Sequence, residues 1–432
     1  MHSFHYQDRQ LHCEDVDLAR VAQEFGTPLY IYSEGTILDH YERLDAALPQ
    51  LDHLICYAVK ANSNRAILNL LAHAGAGFDI VSGGELFRVL AAGGDPAKCT
   101  FAGVGKSRKE IEYALEQRVF SFNIESEAEL DYINRIATDK NLRAPIAVRV
   151  NPDVATATHQ YISTGKSENK FGIALDRVAA VYEMAARMPH IHIRGVQMHI
   201  GSQITETQPF VEAIAKMRKI IVDLKKRHAL EFFSVGGGLG IVYESSFASG
   251  SSGWWKEEAP AHHQLSIQQY TDAILPALRE MGLRILLEPG RLLVGNAGVL
   301  LTRIRFIKRT AQKEFVIVDA GMNDLIRPAL YRSYHEIVPV REPPGDVRDK
   351  IDIVGPVCES GDFFAQDREM PEVKEGDLLA IMSAGAYGFV MASNYNSRPL
   401  PAEVLVRGDK FSLIRKRQTN ADLVQGEQDP NW

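Results

Sequence analysis

Four clusters in this 432-residue chain carry groups able to do chemistry. Lys60 ends the run Leu54-Ile55-Cys56-Tyr57-Ala58-Val59-Lys60, and His199 opens His199-Ile200-Gly201-Ser202-Gln203. Three glycines stand together in Gly236-Gly237-Gly238-Leu239-Gly240, and Glu288 precedes Pro289-Gly290-Arg291. An amine at the end of an apolar run is partly desolvated, which favours its neutral form, a nucleophile for a carbonyl compound. A glycine run leaves backbone N–H groups open to close approach by a phosphate. A buried carboxylate at 288 needs a cationic or proton-donating partner. Each cluster also has a plainer reading: a lysine that snorkels from a strand end, a satisfied core histidine, a tight turn, and a structural Glu288–Arg291 ion pair.

The elements that must position these groups alternate along the chain. Short apolar runs at 54–60, 77–81, 100–104, 121–124, 146–150, 195–200, 232–235 and 284–288 read as buried strands. Between them, apolar residues recur at spacings of three and four over 65–74, 85–92, 109–117, 128–137, 176–187, 209–227 and 267–281, the mark of amphipathic helices. Eight such units predict an α/β fold closed into a (β/α)8 TIM-like barrel, with an open doubly wound sheet as the alternative. Farther along, strand-like runs at 298–307, 315–318, 336–340, 350–354, 378–382, 402–406 and 410–414 follow one another without long helices. They predict an all-β C-terminal domain, a barrel or sandwich that also takes in the N-terminal strands. The expected division is a barrel over 36–282 and a β domain made of 1–35 and 283–432. The connections 152–172 and 241–266 are long, the second carrying Trp254 and Trp255, and long loops after barrel strands are usually functional.

The barrel changes the weight of the four clusters. Active sites of such barrels lie where the strands end, and Lys60, His199, Gly236–Gly240 and Glu288 all fall at expected strand ends. Pyridoxal 5′-phosphate needs all four: a lysine for covalent attachment, a phosphate cradle, a partner for the pyridine nitrogen and a group packed on the ring.

Composition narrows the field. With 45% hydrophobic and 24% charged residues, the chain reads as an ordinary globular protein of two or three domains. A net charge of -7 without a basic stripe argues against nucleic-acid binding. Apolar runs stay short of membrane-spanning length and the first residues lack signal-peptide character, which makes a cytoplasmic location the expectation. Cys13, Cys56, Cys99 and Cys358 show neither metal-ligand nor redox spacing, so no metal site and no disulfide framework is expected.

Taken in order, Tyr57-Ala58-Val59-Lys60-Ala61-Asn62, the His199, Gly236 and Glu288 clusters, Cys358-Glu359-Ser360-Gly361-Asp362 and Ala386-Tyr387-Gly388 resemble the motifs of the pyridoxal-phosphate-dependent diaminopimelate decarboxylases. The resemblance runs from Phe4 nearly to the end of the chain. It implies an alanine-racemase-like barrel with a C-terminal β domain, and homodimers that share their active sites. Lys60 would carry the cofactor, His199 would stack on its ring, and Glu288 would bind the pyridine nitrogen. Ser202, Gly237, Gly238, Gly290 and Arg291 would hold the phosphate. Arg291, Arg327, Tyr331, Glu359 and Tyr387 would contact substrate, with Tyr387 also near the cofactor. Cys358 and Glu359 would come from the other subunit, and the Cys358 thiol would return a proton after loss of carbon dioxide.

The implied activity is decarboxylation of the D-centre of meso-2,6-diaminopimelate to L-lysine, the last step of lysine biosynthesis. The distal L-end of that substrate has a carboxylate suited to the fork of Arg291 or Arg327, and an ammonium suited to Glu359. Buried arginines left without a carboxylate partner would disfavour ornithine or lysine. Three alternatives stand beside this reading: a relative acting on another amino acid, a non-catalytic cofactor carrier, and a cofactor-free Schiff-base aldolase. The last leaves Glu288 and the glycine loop unexplained.

Overall fold

The computed structural model describes residues 2–154, 170–251, 254, 265–344 and 349–432. Most of the connection 152–172 and part of 241–266, Trp255 included, lie outside the described residues. The chain forms two compact units, one of Leu38–Ile241 with Ala259–Leu293, the other of Met1–Ile37, Val242–Glu258 and Val294–Trp432.

The first unit is the barrel. Its eight strands are His53–Ala58, Gly77–Ile80, Cys99–Phe101, Ser121–Ile124, Ala144–Asn151, Ile191–Met198, Phe232–Ser234 and Arg284–Leu287. Each pairs in parallel with the next, and Leu286 opposite Leu54 closes the last strand on the first. The open-sheet alternative is thereby excluded. The unit extends to Leu293, past the boundary expected at 282, because Arg284–Leu287 hydrogen-bonds into the parallel sheet on both sides. A two-residue strand, Ile173–Ala174, adds to the end of Ala144–Asn151.

Local sequence explains the regular β/α rhythm. Helices start on polar caps: Asn64, Ser82 and Ser126 accept from first-turn N–H groups, while Ser107 with Glu110 and Ser266 with Gln269 form full capping boxes. Inside, Phe78, Phe101, Phe122, Phe232 and Phe233 are fully buried. Packing on this scale leaves no room for a side chain at Gly195, whose Cβ would lie 2.6 Å from the Phe232 ring, and the strand bulges between Ile193 and Gly195.

The second unit is a mixed sheet in the order Phe363–Met370, Asp349–Val354, Glu314–Val318, Gly298–Arg309, Leu29–Ser33, Ala402–Arg407, Lys410–Arg415. Leu378–Ile381 pairs with both Gly298–Arg309 and Ile337–Pro339. The N-terminal strand Leu29–Ser33 joins this sheet, as expected from the sequence, and lies between Gly298–Arg309, antiparallel to it, and Ala402–Arg407, parallel to it. A small meander, Phe4–Gln7, Gln10–Cys13 and Val16–Asp17, packs Phe4, Leu11 and Val16 into the same core. Phe363–Met370 has no counterpart among the expected strands: in its sequence FFAQDREM the four consecutive polar residues Gln366–Glu369 hide the pattern.

Candidate active site

The first barrel strand stops at Ala58, two residues before the expected end, and Lys60 lies in the 3-10 turn Val59–Ala61. The buried Tyr57 hydroxyl donates to Asn62 O at 2.9 Å across this turn. Ala58 N donates to Pro289 O at 3.0 Å and ties the turn to the loop after the eighth strand. The amine was expected to be partly desolvated; instead its side chain is 41% exposed, and Lys60 Nζ lies 3.5 Å from Asp79 Oδ2 in an ion pair. Asp79, the third residue of the second strand, is nearly inaccessible to solvent, with Thr100 Oγ1 3.5 Å from its other oxygen. Burial raises the Asp79 pKa, and Lys60 opposes the rise.

Glu288 immediately follows the eighth strand and is buried. Gln197 Nε2 of the sixth strand donates to it at 2.9 Å and Ser234 Oγ of the seventh at 2.7 Å. Burial, reinforced by the nearby Asp79 charge, pushes its pKa up to about 7. Arg291, the cation proposed for Glu288 on the plainer reading, instead donates from Nη2 to Ser202 Oγ at 3.0 Å.

His199 follows the sixth strand, and its Nδ1 accepts from Gly237 N at 3.2 Å. That bond places the ring hydrogen on Nε2. Burial, with Arg149 and Lys60 nearby, holds the His199 pKa well below the usual range, so the imidazole is a neutral plate.

Close backbone packing accounts for the glycines. A Cβ on Gly237 would collide with Glu288 O, and one on Gly238, at φ +109°, with Gly201 O. Ile204 N donates to Gly238 O at 2.9 Å, joining the loops after strands six and seven. Gly290 sits where a Cβ would meet those of Ala58 and Ala61 at 3.1 and 3.0 Å. Lys60, His199, Ser202, Gly237, Gly238, Glu288, Gly290 and Arg291 thus share one end of the barrel, linked by hydrogen bonds or close contacts.

These residues fit a pyridoxal group. Glu288 is a buried carboxylate whose two hydrogen-bond partners are uncharged, and a protonated ring nitrogen would bring the positive charge that neither carries. His199 is a neutral ring, and the Ser202–Arg291 pair joins the loops expected to hold phosphate.

The second unit carries the remaining expected residues. Arg327 opens the short helix Arg327–Tyr331 and is buried. Its guanidinium carbon lies 5.3 Å from the Tyr243 ring centre and 5.9 Å from that of Tyr331. Tyr387 is half-buried with φ +56°, a left-handed conformation that a bulky residue adopts only under local constraint. Cys358 and Glu359 are exposed on a loop built around Asp362, whose carboxylate accepts from Val357 N and Met322 N, both at 2.6 Å. Cys358 N donates to Asn396 Oδ1 at 2.8 Å.

Sequence reasoning passed over Asp79, Gln197, Ser234, Tyr243 and His335. Asp79 and Gln197 did leave a signal, a polar residue inside an otherwise apolar strand, in Gly77-Phe78-Asp79-Ile80 and Val196-Gln197-Met198. Among the described residues no group of three or more potential metal ligands occurs, and no helix is long and apolar enough to cross a membrane.

Comparison with known proteins agrees with this geometry. The pyridoxal-binding domain of the pyridoxal-dependent decarboxylases matches residues 34–295. The diaminopimelate decarboxylase of Pseudomonas aeruginosa is 49% identical over 428 residues, 99% of each chain. That of Vibrio cholerae is 48% identical, covering 98% of each. The crystal structure of diaminopimelate decarboxylase from Helicobacter pylori complexed with L-lysine superposes with a TM-score of 0.87 at 41% identity, covering 95% of this chain and 98% of that one. With this likeness extending across both units, the chain belongs to the diaminopimelate decarboxylases.

Proposed function

We propose that the chain binds pyridoxal 5′-phosphate and decarboxylates the D-centre of meso-2,6-diaminopimelate, releasing L-lysine and carbon dioxide as the last step of lysine biosynthesis. The observation that carries this reading is the placement of Lys60 and Glu288 after two paired barrel strands, the first and the eighth, in a chain alike over nearly its full length to named diaminopimelate decarboxylases. When bound, the cofactor accepts the electron pair left at the substrate carbon as carbon dioxide departs.

The chain's own residues do the rest. Lys60 Nζ holds the cofactor covalently, and Asp79 orients that amine and balances its charge. Glu288 holds a proton at the ring nitrogen, with Gln197 and Ser234 fixing the carboxylate plane. His199 packs on the ring as a neutral plate, oriented by Gly237 N–H. Ser202, Gly237, Gly238, Gly290 and Arg291 surround the phosphate. Arg327 receives the distal carboxylate of the substrate, Glu359 its distal ammonium, and Tyr331 and Tyr387 line the same path. Cys358 delivers a proton to the carbon that has lost its carboxyl group, and it does so, with Glu359, from a second copy of the chain. Their exposure on the surface of the second unit supports that role.

A substrate panel tests the reading: meso- and LL-diaminopimelate, ornithine, arginine and lysine with added pyridoxal phosphate, and Lys60→Ala as control. Turnover of the meso isomer alone, with loss of the bound-cofactor absorbance in Lys60→Ala, is the expected result. Turnover of ornithine in preference to the meso compound would replace this function with that of another amino-acid decarboxylase.

A further inference from the structure

Arg327 is held in place by a side chain that the sequence motifs do not single out. Arg327 is a buried cation, and a buried guanidinium needs hydrogen-bond acceptors in fixed places. Its Nε lies 3.4 Å from His335 Nε2 and its Nη2 3.3 Å from Ser333 Oγ. His335 is fully buried, and its Nδ1 is 2.8 Å from the main-chain oxygen of Met382. A carbonyl oxygen can only accept, so Nδ1 carries the ring hydrogen and Nε2 presents a lone pair to Arg327. The tautomer is therefore set by the backbone. Tyr243 packs edge-on against the imidazole at 5.1 Å and also faces the guanidinium, restricting rotation of both.

We infer that His335 is a positioning residue: it locks the Nε–Nη2 edge of Arg327 so that the guanidinium is oriented to receive the distal carboxylate, and so sets the preference for a diamino diacid over a plain diamine. The inference rests on the function proposed above. Packing alone would not require a histidine here, since a phenylalanine fills similar space. Phenylalanine, however, leaves the Nε–H of a buried cation without its acceptor, and the arginine then turns to find another. The consequence falls on ligands that carry the distal carboxylate and spares those that lack it.

The test compares wild type, His335→Phe and His335→Gln as holoenzymes. Kinetics with meso-diaminopimelate are measured alongside competition by L-lysine, which keeps the distal carboxylate, and by 1,5-diaminopentane, which has none. In His335→Phe the KM for the meso substrate and the inhibition constant of L-lysine rise about tenfold or more, while that of 1,5-diaminopentane stays within about twofold. His335→Gln, whose amide both accepts and donates, recovers most of the difference. Equal weakening of both competitors, or no change in either, overturns the inference. If His335→Phe fails to fold, Ser333→Ala reads the other contact on the same edge and shows the same carboxylate-selective loss at smaller size; no selectivity there also overturns it. A wild type that does not turn over the meso substrate removes the proposed function and this inference together, whereas an active wild type with an unresponsive His335→Phe removes the inference alone.

Discussion

Glu288 shows how much of the chemistry is carried by burial at single residues. In the folded chain it keeps its proton up to about pH 7, against an ordinary value of 4.5. Between those values the folded state binds more protons than the unfolded state, so its contribution to stability is present below pH 4.5 and is lost as pH rises through 7. Cofactor-free protein is therefore expected to lose melting temperature across this window, and Glu288→Gln to flatten the slope, as read by thermal melts at stepped pH. An unchanged slope in Glu288→Gln would mean that the carboxylate titrates normally. The same substitution removes the carboxylate expected at the ring nitrogen, and kcat is expected to fall by about 100-fold or more. The placement of Lys60, His199 and Glu288 at one end of the barrel was legible because each falls at the end of one of the eight apolar runs; the roles proposed for them rest on the resemblance. Asp79 was not legible, because a lone aspartate in a four-residue strand reads as an interruption until its neighbour Lys60 is seen.

Among elements, the strands of the barrel were legible because their apolar runs are short and bounded by polar caps. Their ends were not, since Val59 is apolar and continues the pattern of Leu54–Ala58 while the backbone has already turned. Phe363–Met370 was missed for the opposite reason, its charged residues lying on a strand at the edge of its sheet. The bulge at Gly195 is an element-scale device that can be tested directly. Gly195→Ala places a Cβ against the Phe232 ring in the sixth strand, which leads to His199. A loss of about 1–3 kcal/mol in urea unfolding is expected, from forced repacking of a full core. A variant as stable as wild type would show that the ring moves aside at no cost.

For the whole molecule, the proposed site needs two copies of the chain, because Cys358 and Glu359 are assigned to a partner. Lys60→Ala and Cys358→Ala, each nearly inactive alone, should complement when mixed and allowed to exchange subunits. Random pairing makes half the dimers mixed, each with one intact site of two, so about a quarter of wild-type activity is expected. Activity that stays at the level of the separate variants would place Cys358 and Lys60 of each site on one chain. Fold and family were readable at this scale because the motifs span both units; the boundary near 293 was not, although the run at 284–288 was read as the eighth barrel strand, because the expected division was set just before that strand. The central claim comes down to one measurement: purified protein with pyridoxal phosphate and meso-2,6-diaminopimelate, followed for carbon dioxide and for lysine on a chiral column. Equal amounts of carbon dioxide and L-lysine are predicted, and either the absence of both or the appearance of D-lysine would contradict it.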